Sequence, residues 1–549
     1  MARRFSLLLI LLGSLVAAGP ATAARYVAPA GSGALFLFSG HGWGHGVGMS
    51  QYGAYGYAEN GWTYDQILAH YFPGTTLGPA PTSTIRVLLA DKKKALTVAS
   101  DQPILVTDGL GATHTLAAGK TKLGPALSVA VDGQPAAPLP APLTLAASSG
   151  STLTLGRAYR GQILVDVVDG KLRAVDIVGL EQYLDGVVPA EMPASWAPQA
   201  LEAQAVAARS YALATRAAAA PFDVYADSRS QMYLGVAAEK PSTTAAVDAT
   251  AGQVLYYGAK VATTYFSSTS GGQTESAADV WGGQAVPYLI SVPDPFDAIS
   301  PFHDWGPVPV TARTIAQKLK VPGRVVDAAT TPNPTGRAAT LDVSSLRTAA
   351  ATTPDVKRVP ATSARTTLGL RSTWFDVGVL ALLPPARNLP VPYGTTVTLN
   401  GLVRGADGVV VEQRNIHLAW QELTAAVPGP SGVIRLVAKP EITTDYRLAT
   451  PAAAAAFVRI RVTPRVTLAA ASRAAVSGSE QPALPGAVVQ IQQQNPPGSA
   501  PAWTTVARGT ANTDGTFSVP VSLGAGTVRA LVAPGHGFWP GASTAATVP

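Results

Sequence analysis

None of the 549 residues is a cysteine. The fold therefore has no disulfide to close it, no thiolate to hold a metal and no thiol nucleophile. It must be held by buried apolar surface and hydrogen bonds alone. Charged residues make up only 13% of the chain and hydrophobic ones 47%, against about 25% charged in an average chain. That composition excludes a disordered polyelectrolyte, a coiled coil and a solvated charged array. The 53 Gly and 45 Pro follow no Gly-X-Y period, so collagen is excluded as well. At roughly 100–200 residues per domain, the length allows about three to five domains.

The N-terminus pairs two charges, Arg3 and Arg4, with an apolar run from Leu7 to Ala18 and then Ala21-Thr22-Ala23. This is the pattern of a secretory signal over residues 1–23, cleaved after Ala23. The run falls short of the ~20 residues that cross a bilayer. A secreted, extracellular protein is the expectation. Without Arg3 and Arg4 the formal net charge of +7 drops to about +5, too weak and diffuse to argue for nucleic acid but compatible with an anionic wall polymer. The longest basic run, Lys92-Lys93-Lys94, reads as a hairpin tip.

Residues 24–80 form a Gly-rich block followed by a short helical pattern. Residues 81–180 read as short strands separated by Asp-Gly, Gly-Lys and Pro-rich turns. A strong helix follows over 195–220, with Ser195 as N-cap, Pro198 in the first turn and Leu201, Ala205, Ala208 and Ala212 at three-to-four spacing. So many alanines on one face imply a closely packed backbone. Residues 253–269 read as a hairpin turning at Gly258-Ala259-Lys260. Beyond about 385 the character is all-β in two weakly repeating units, 385–464 and 465–549. Gly401, Gly408 and Trp420 correspond to Gly478, Gly486 and Trp503. Their length fits Ig-like β-sandwich modules, acting as spacers or as polymer-binding units. The fold class expected is α+β: a mixed, strand-rich core with a packed Ala-rich helix, followed by the two sandwiches.

Several familiar signatures fail. A G-x-G-x-x-G fingerprint is broken by Val47 and Met49, and Gly119-Lys120-Thr121 lacks the earlier glycine of a phosphate loop because His114 stands there. Neither H-E-x-x-H nor G-x-S-x-G occurs. His41 and His45 are four apart, but the glycines between them argue against a helix presenting both to a metal.

Other stretches carry a family resemblance. Leu180-Glu181 through Gly186 to Glu191-Met192-Pro193 and Trp196 runs into Gln204, Arg209 and Tyr211. Ser268-Thr269-Ser270-Gly271-Gly272 with Glu275, then Trp281-Gly282-Gly283, form a second region, with His303-Asp304-Trp305 and Leu368 to Phe375 after it. Gly40-His41 to His45, Met49-Ser50-Gln51 and Gly53, trailed by His70 and Pro73-Gly74, make a Gly-His block. Together these resemble the stage II sporulation protein D (SpoIID) / LytB amidase-enhancer family over about 30–380. In known members the Gly-His block usually closes the domain, whereas here residues 24–80 precede the core of 81–380. The block is therefore expected to dock on that core by a different chain path.

The resemblance implies lytic transglycosylase action on peptidoglycan glycan strands, with the Glu of the Glu-Met-Pro motif, Glu191, as catalyst. One carboxyl group suffices if it gives its proton to the glycosidic oxygen and takes one from the C6 hydroxyl, closing a 1,6-anhydro ring. A hydrolase normally needs a pair. Met192 and Trp196 are the apolar neighbours expected to raise its pKa. The alternative is a non-catalytic peptidoglycan-binding protein that stimulates a cell-wall amidase. Either way the partners implied are glycan strands and an amidase, with no nucleic acid, and the location is the cell wall. Better-known members carry zinc on cysteine and histidine. The corresponding stretch, Asp227 to Tyr233, has Ser230 and no cysteine, so neither metal nor other cofactor is expected.

Each residue also has a plainer reading. Glu191 could pair with Arg209, and Glu181 reads as a surface or capping carboxylate. Arg209 and Gln204 either hold the Glu191 loop or touch sugar, and Tyr211 reads as core. Ser268, Ser270, Gly271 and Gly272 suggest a loop facing polysaccharide, or an ordinary turn. Trp281 stacks on a sugar or fills a core. His41, His45, Ser50 and Gln51 read as a tight loop lining the cleft.

Overall fold

The computed structural model describes residues 26–27, 33–348, 351–385, 389–416, 418–497, 502–535 and 537–549. The expected signal, His417 and His536 lie outside them. The architecture is mixed α and β and strand-rich. No helix among the described residues is long and apolar enough to cross a membrane.

Strand β1 (Leu35–His41) has Leu35, Phe36, Leu37 and Phe38 all buried. Alternate side chains of a strand face opposite ways, so such a run lies inside a sheet covered on both sides. Phe36 and Phe38 join one core with Trp305, Ile315 and Val379, and Leu35 and Leu37 join a second with Leu380, Leu399 and Tyr446. After the Gly-His loop come helices α1 (Gln51–Glu59) and α2 (Tyr64–Tyr71). Strands β2 (Thr84–Lys93), β3 (Gln162–Val168) and β4 (Lys171–Gly179) belong to a seven-stranded sheet. Its order is Val224–Tyr225, β2, β4, β3, Leu143–Ala147, Ile104–Thr107, Thr113–Leu116. The lysine run closes β2: Lys92, with φ 54°, and Lys93 are its last residues and Lys94 stands in the bend that follows.

Helix α3 (Leu180–Glu191) buries Leu180, Tyr183, Leu184, Val187 and Val188 at helical spacing. It stops because Met192 precedes Pro193. A residue before proline is driven out of the α region, and Met192 is extended at φ −134°, ψ 138°. Helix α4 (Pro198–Thr215) begins with Pro198 in its first turn, and Ala197 rather than Ser195 takes the cap position. The rigid φ of proline suits the first helical residue, and this sets the start. Ala203, Ala205, Ala207, Ala208 and Ala212 are fully buried. The alanine face lets α1, α2, α3 and the strand Gln253–Tyr257 approach α4 closely.

The short helix α5 (Ala277–Trp281) precedes β5 (Asp304–Thr311) and β6 (Phe375–Leu382). Strands β7 (Val397–Arg404) and β8 (Val433–Ala438) follow. A five-stranded antiparallel sheet has the order β5, β1, β6, β7, β8. It runs on across residue 385, with Leu380 opposite Val403 and Leu382 opposite Gly401. The physical reason is the double-sided burial of β1 and β6: Leu35, Leu37, Leu380 and Leu382 need the 385–464 segment as their cover. Residues 465–549 have their own core around Val489, Ile491, Phe517 and Val528. Glu412 lies opposite Arg447 and Gln492 opposite Arg529. Arg447 stands 3.9 Å from the Trp420 ring centroid and Arg529 4.3 Å from that of Trp503.

Candidate active site

Glu191 ends α3 and its side chain turns into a cavity of about 340 Å³. The walls are His45, Tyr211, Ser228, Ser230, Gln231, Met232, Tyr265, Phe266 and Trp281. Glu191 Oε1 accepts the Met232 N–H at 3.1 Å, which leaves Oε2 to carry a proton. Burial raises the Glu191 pKa above the ordinary value of 4.5, against the lowering effect of the Met232 bond. The position at a helix C-terminus works in the same direction as burial, since the negative end of the helix dipole disfavours an anion. Arg209 does not offset these effects. It is fully buried and bound to Glu181, with Nη1 donating to the Gln253 carbonyl at 3.0 Å. Glu181 thus anchors Arg209, and Arg209 fastens α3 to α4 away from the cavity.

The Gly-His loop reaches this site from one side. Gly48 has φ +72° and an added Cβ would lie 2.1 Å from the Tyr265 carbonyl oxygen. Only glycine permits that backbone and that approach. The loop thereby delivers His45 to the cavity wall, where its ring centroid is 5.3 Å from that of Trp281 and 6.0 Å from that of Tyr265. His45 Nδ1 accepts the Val47 N–H at 3.0 Å, so the proton of the neutral ring sits on Nε2. Burial first, then the nearby Arg365 and Arg337, lower its pKa to about 4. Trp281 is 49% exposed at the rim, its ring tilted 50° to that of Tyr265 with centroids 4.6 Å apart.

Gln51, the first residue of α1, lies behind the catalytic candidate. Its Nε2 donates to the Glu191 carbonyl at 2.9 Å and to Gln204 Oε1 at 3.3 Å. It holds the Glu191 backbone and does not face the cavity. Gln204 is likewise buried and supports that arrangement.

The remaining expected binding residues lie elsewhere. Ser50 and Ser270 are each 1% exposed. Ser50 Oγ donates to Asp297 Oδ1 at 2.7 Å, and Ser270 Oγ to Asp294 Oδ2 at 2.7 Å. The Gly271 N–H donates to Asp297 Oδ2 at 3.0 Å, and the Gly272 N–H to Ser270 Oγ at 3.1 Å. Tyr71 completes the knot by donating to Asp294 Oδ1 at 2.8 Å. Their hydrogen-bonding capacity is spent on two buried carboxylates, so they brace the Gly-His block against 268–272. Burial and then the neighbouring Asp297 push Asp294 up to about 7. Ser268 is partly exposed, within 3.3 Å of Thr269 Oγ1, and does not line the cavity. His41 belongs to another surface group, with Nδ1 2.6 Å from Asp304 Oδ1 and the ring near Trp374 and His303.

Of the expected residues, then, Glu191, His45 and Trp281 come together. Tyr211, expected in the core, is a wall. Tyr265, Phe266, Ser228, Gln231 and Met232 were not expected at the site. Tyr265 and Phe266 had only a strand pattern to announce them. Gln231 lay in the stretch read solely as a missing metal site.

Part of this chain is similar to known proteins. The SpoIID family model, described as stage II sporulation protein, matches residues 168–257. Stage II sporulation protein D of Bacillus subtilis is 36% identical over 166 residues, 27% of this chain and 48% of that protein. The amidase enhancer of the same species is 40% identical over 114 residues, 21% of this chain and 15% of that one. An uncharacterized protein of Brachyspira hyodysenteriae is 40% identical over 146 residues, 26% and 39% respectively. The chain thus spans less than half the length of these relatives. A solved structure of tandem Ig repeats of Dlar aligns with 29% of this chain and 91% of its own at 15% identity, with a TM-score of 0.11; that likeness is too slight to assign the fold of the C-terminal segments.

The zinc of better-known members does not fit the residues present. Ser228, Ser230 and Gln231 offer hydroxyls and an amide, and Ser230 Oγ already accepts the Tyr225 N–H at 3.1 Å. Among the described residues no group of three or more His, Asp or Glu converges as a metal site.

Proposed function

We propose, for a chain that belongs to the SpoIID/LytB family, a secreted cell-wall enzyme that cleaves peptidoglycan glycan strands as a lytic transglycosylase. One observation carries this reading: Glu191 is the sole carboxylate among the described residues lining an aromatic cavity, and burial favours its protonated form. A hydrolase of this type needs a second carboxylate to activate water. A transglycosylase does not. Protonated Glu191 gives its proton to the glycosidic oxygen as the C1–O bond breaks. The C6 hydroxyl of the same muramyl sugar then attacks C1, and its proton passes to the Glu191 carboxylate. The products are a 1,6-anhydro end and a free 4-hydroxyl, and Glu191 is again protonated. Trp281 at the rim offers a face for a sugar ring. Gln51 acts as a positioning residue, through the Glu191 carbonyl.

The test is digestion of purified, peptide-stripped glycan strands followed by mass spectrometry. Anhydromuramyl products from the wild type, reduced by 10²-fold or more in Glu191→Gln, support the reading. Undiminished product from Glu191→Gln contradicts it.

The likeness to an amidase enhancer favours one second reading. The protein would then bind wall glycan and stimulate an amidase without cutting strands. Wall binding with no new glycan ends, together with faster release of stem peptides by an added amidase, is its signature. In both readings we take residues 465–549 as an Ig-like module that spaces the active domain from, or holds it to, the wall polymer, while residues 385–464 share the sheet and core of β1 and β6.

A further inference from the structure

We infer that Gln231 is the residue that reads the substrate, its side-chain amide donating a hydrogen bond to the carbonyl oxygen of a 2-acetamido group bound beside Glu191. This rests on the cavity being a glycan site, as proposed above. Gln231 lines the cavity and is 2% exposed. Tyr183 Oη donates to Gln231 Oε1 at 3.2 Å. Tyr183 is fully buried and burial raises its pKa, so its hydroxyl keeps its proton and needs an acceptor. That fixes the amide: the oxygen faces Tyr183 and the nitrogen is left over. Among the described residues Gln231 Nε2 is buried without a protein partner. A buried donor left unmatched is destabilising, and an acceptor brought by a ligand relieves it.

The chemistry of the acceptor follows from the other walls. Among the described lining residues none is Arg or Lys, and His45 is neutral above about pH 4. An anionic group such as a lactyl carboxylate would find no counter-charge there. A neutral acetamido group suits the cavity: its methyl packs on Phe266, Tyr265 or Met232, and its carbonyl accepts from Nε2. A site built to hydrogen-bond a substrate group discriminates strongly against an analogue that lacks it.

The test uses the full chain with Glu191→Gln, so that nothing is cleaved, and two neutral probes. These are the fully N-acetylated tetramer of glucosamine and cellotetraose, which has a 2-hydroxyl where the first has acetamido. Titration calorimetry should show the acetylated tetramer bound about tenfold or more tightly. Adding Gln231→Leu, or the less perturbing Gln231→Met, should bring that ratio near one, with thermal denaturation confirming a folded protein. An unchanged ratio in both folded variants overturns the inference. The activity assay on wild type separates the two claims. A lost ratio with no anhydro product from wild type leaves Gln231 as a binding determinant and removes the transglycosylase reading. Product with an unchanged ratio does the reverse.

Discussion

At the scale of single residues, three influences act on Glu191 together: burial, the helix C-terminus and the absence of a basic partner among the described residues. All favour the protonated acid. Activity should therefore fall as pH rises through a pKa above the usual 4.5, giving an alkaline limb in kcat/KM. Trp281→Ala admits water beside the carboxyl and should move that limb to lower pH; a limb that stays in place would separate Trp281 from the desolvation of Glu191. Asp294 tests the knot behind the site. Its pKa is about 7 in the folded protein, against 3.8 as the ordinary value. Folding then favours its protonated form, so stability is highest below about pH 4 and is lost as pH rises towards 7. The loss amounts to at most on the order of 4 kcal/mol. Asp294→Asn should flatten this part of the profile of thermal midpoint against pH.

At the scale of elements, the site depends on where α3 ends and how tightly α4 packs. Ala208 is fully buried on α4 in a core with Val187, Val188 and Val254. Ala208→Leu should destabilise by about 1–3 kcal/mol through overpacking, read by chemical denaturation. Gln51→Ala removes the tie between α1 and the end of α3. It should lower kcat by about tenfold with little change in KM, because it acts on the position of Glu191 and not on the sugar. Elements of this kind were legible in the sequence. Helical spacing announces α4, and Pro193 announces the end of α3. The start of α4 was misplaced by three residues because Pro198, not Ser195, governs it. The cavity walls were less legible, since Tyr211, Gln231 and Tyr265 are brought together only by packing. Ser50 and Ser270 looked like exposed loop hydroxyls because their acceptors, Asp297 and Asp294, are distant from Ser50 in sequence and bear no local mark. Glu191 stood out because one motif combines a carboxylate with the proline that fixes its place.

At the scale of the whole molecule, the absence of cysteine leaves continuity of sheet and core to join the parts. The five-stranded sheet crosses from the N-terminal block into the 385–464 segment. Cutting the chain after 384 would strip β7 from β6 and bare Leu35, Leu37, Leu380 and Leu382, at a cost of roughly 1.5–3 kcal/mol for each large side chain exposed. Such a truncation should aggregate or melt well below the full chain. Ending at 464 instead removes a segment with its own core and should leave the thermal midpoint within a few degrees. Equal behaviour of the two truncations would contradict the shared-core account.

In the proposed reaction Glu191 both gives and takes the proton while the C6 hydroxyl, not water, attacks. Digestion of purified glycan strands in heavy-oxygen water tests it most directly. The wild type should give anhydro ends with no label at C1. New reducing ends carrying heavy oxygen at C1 would show water as the nucleophile and contradict it.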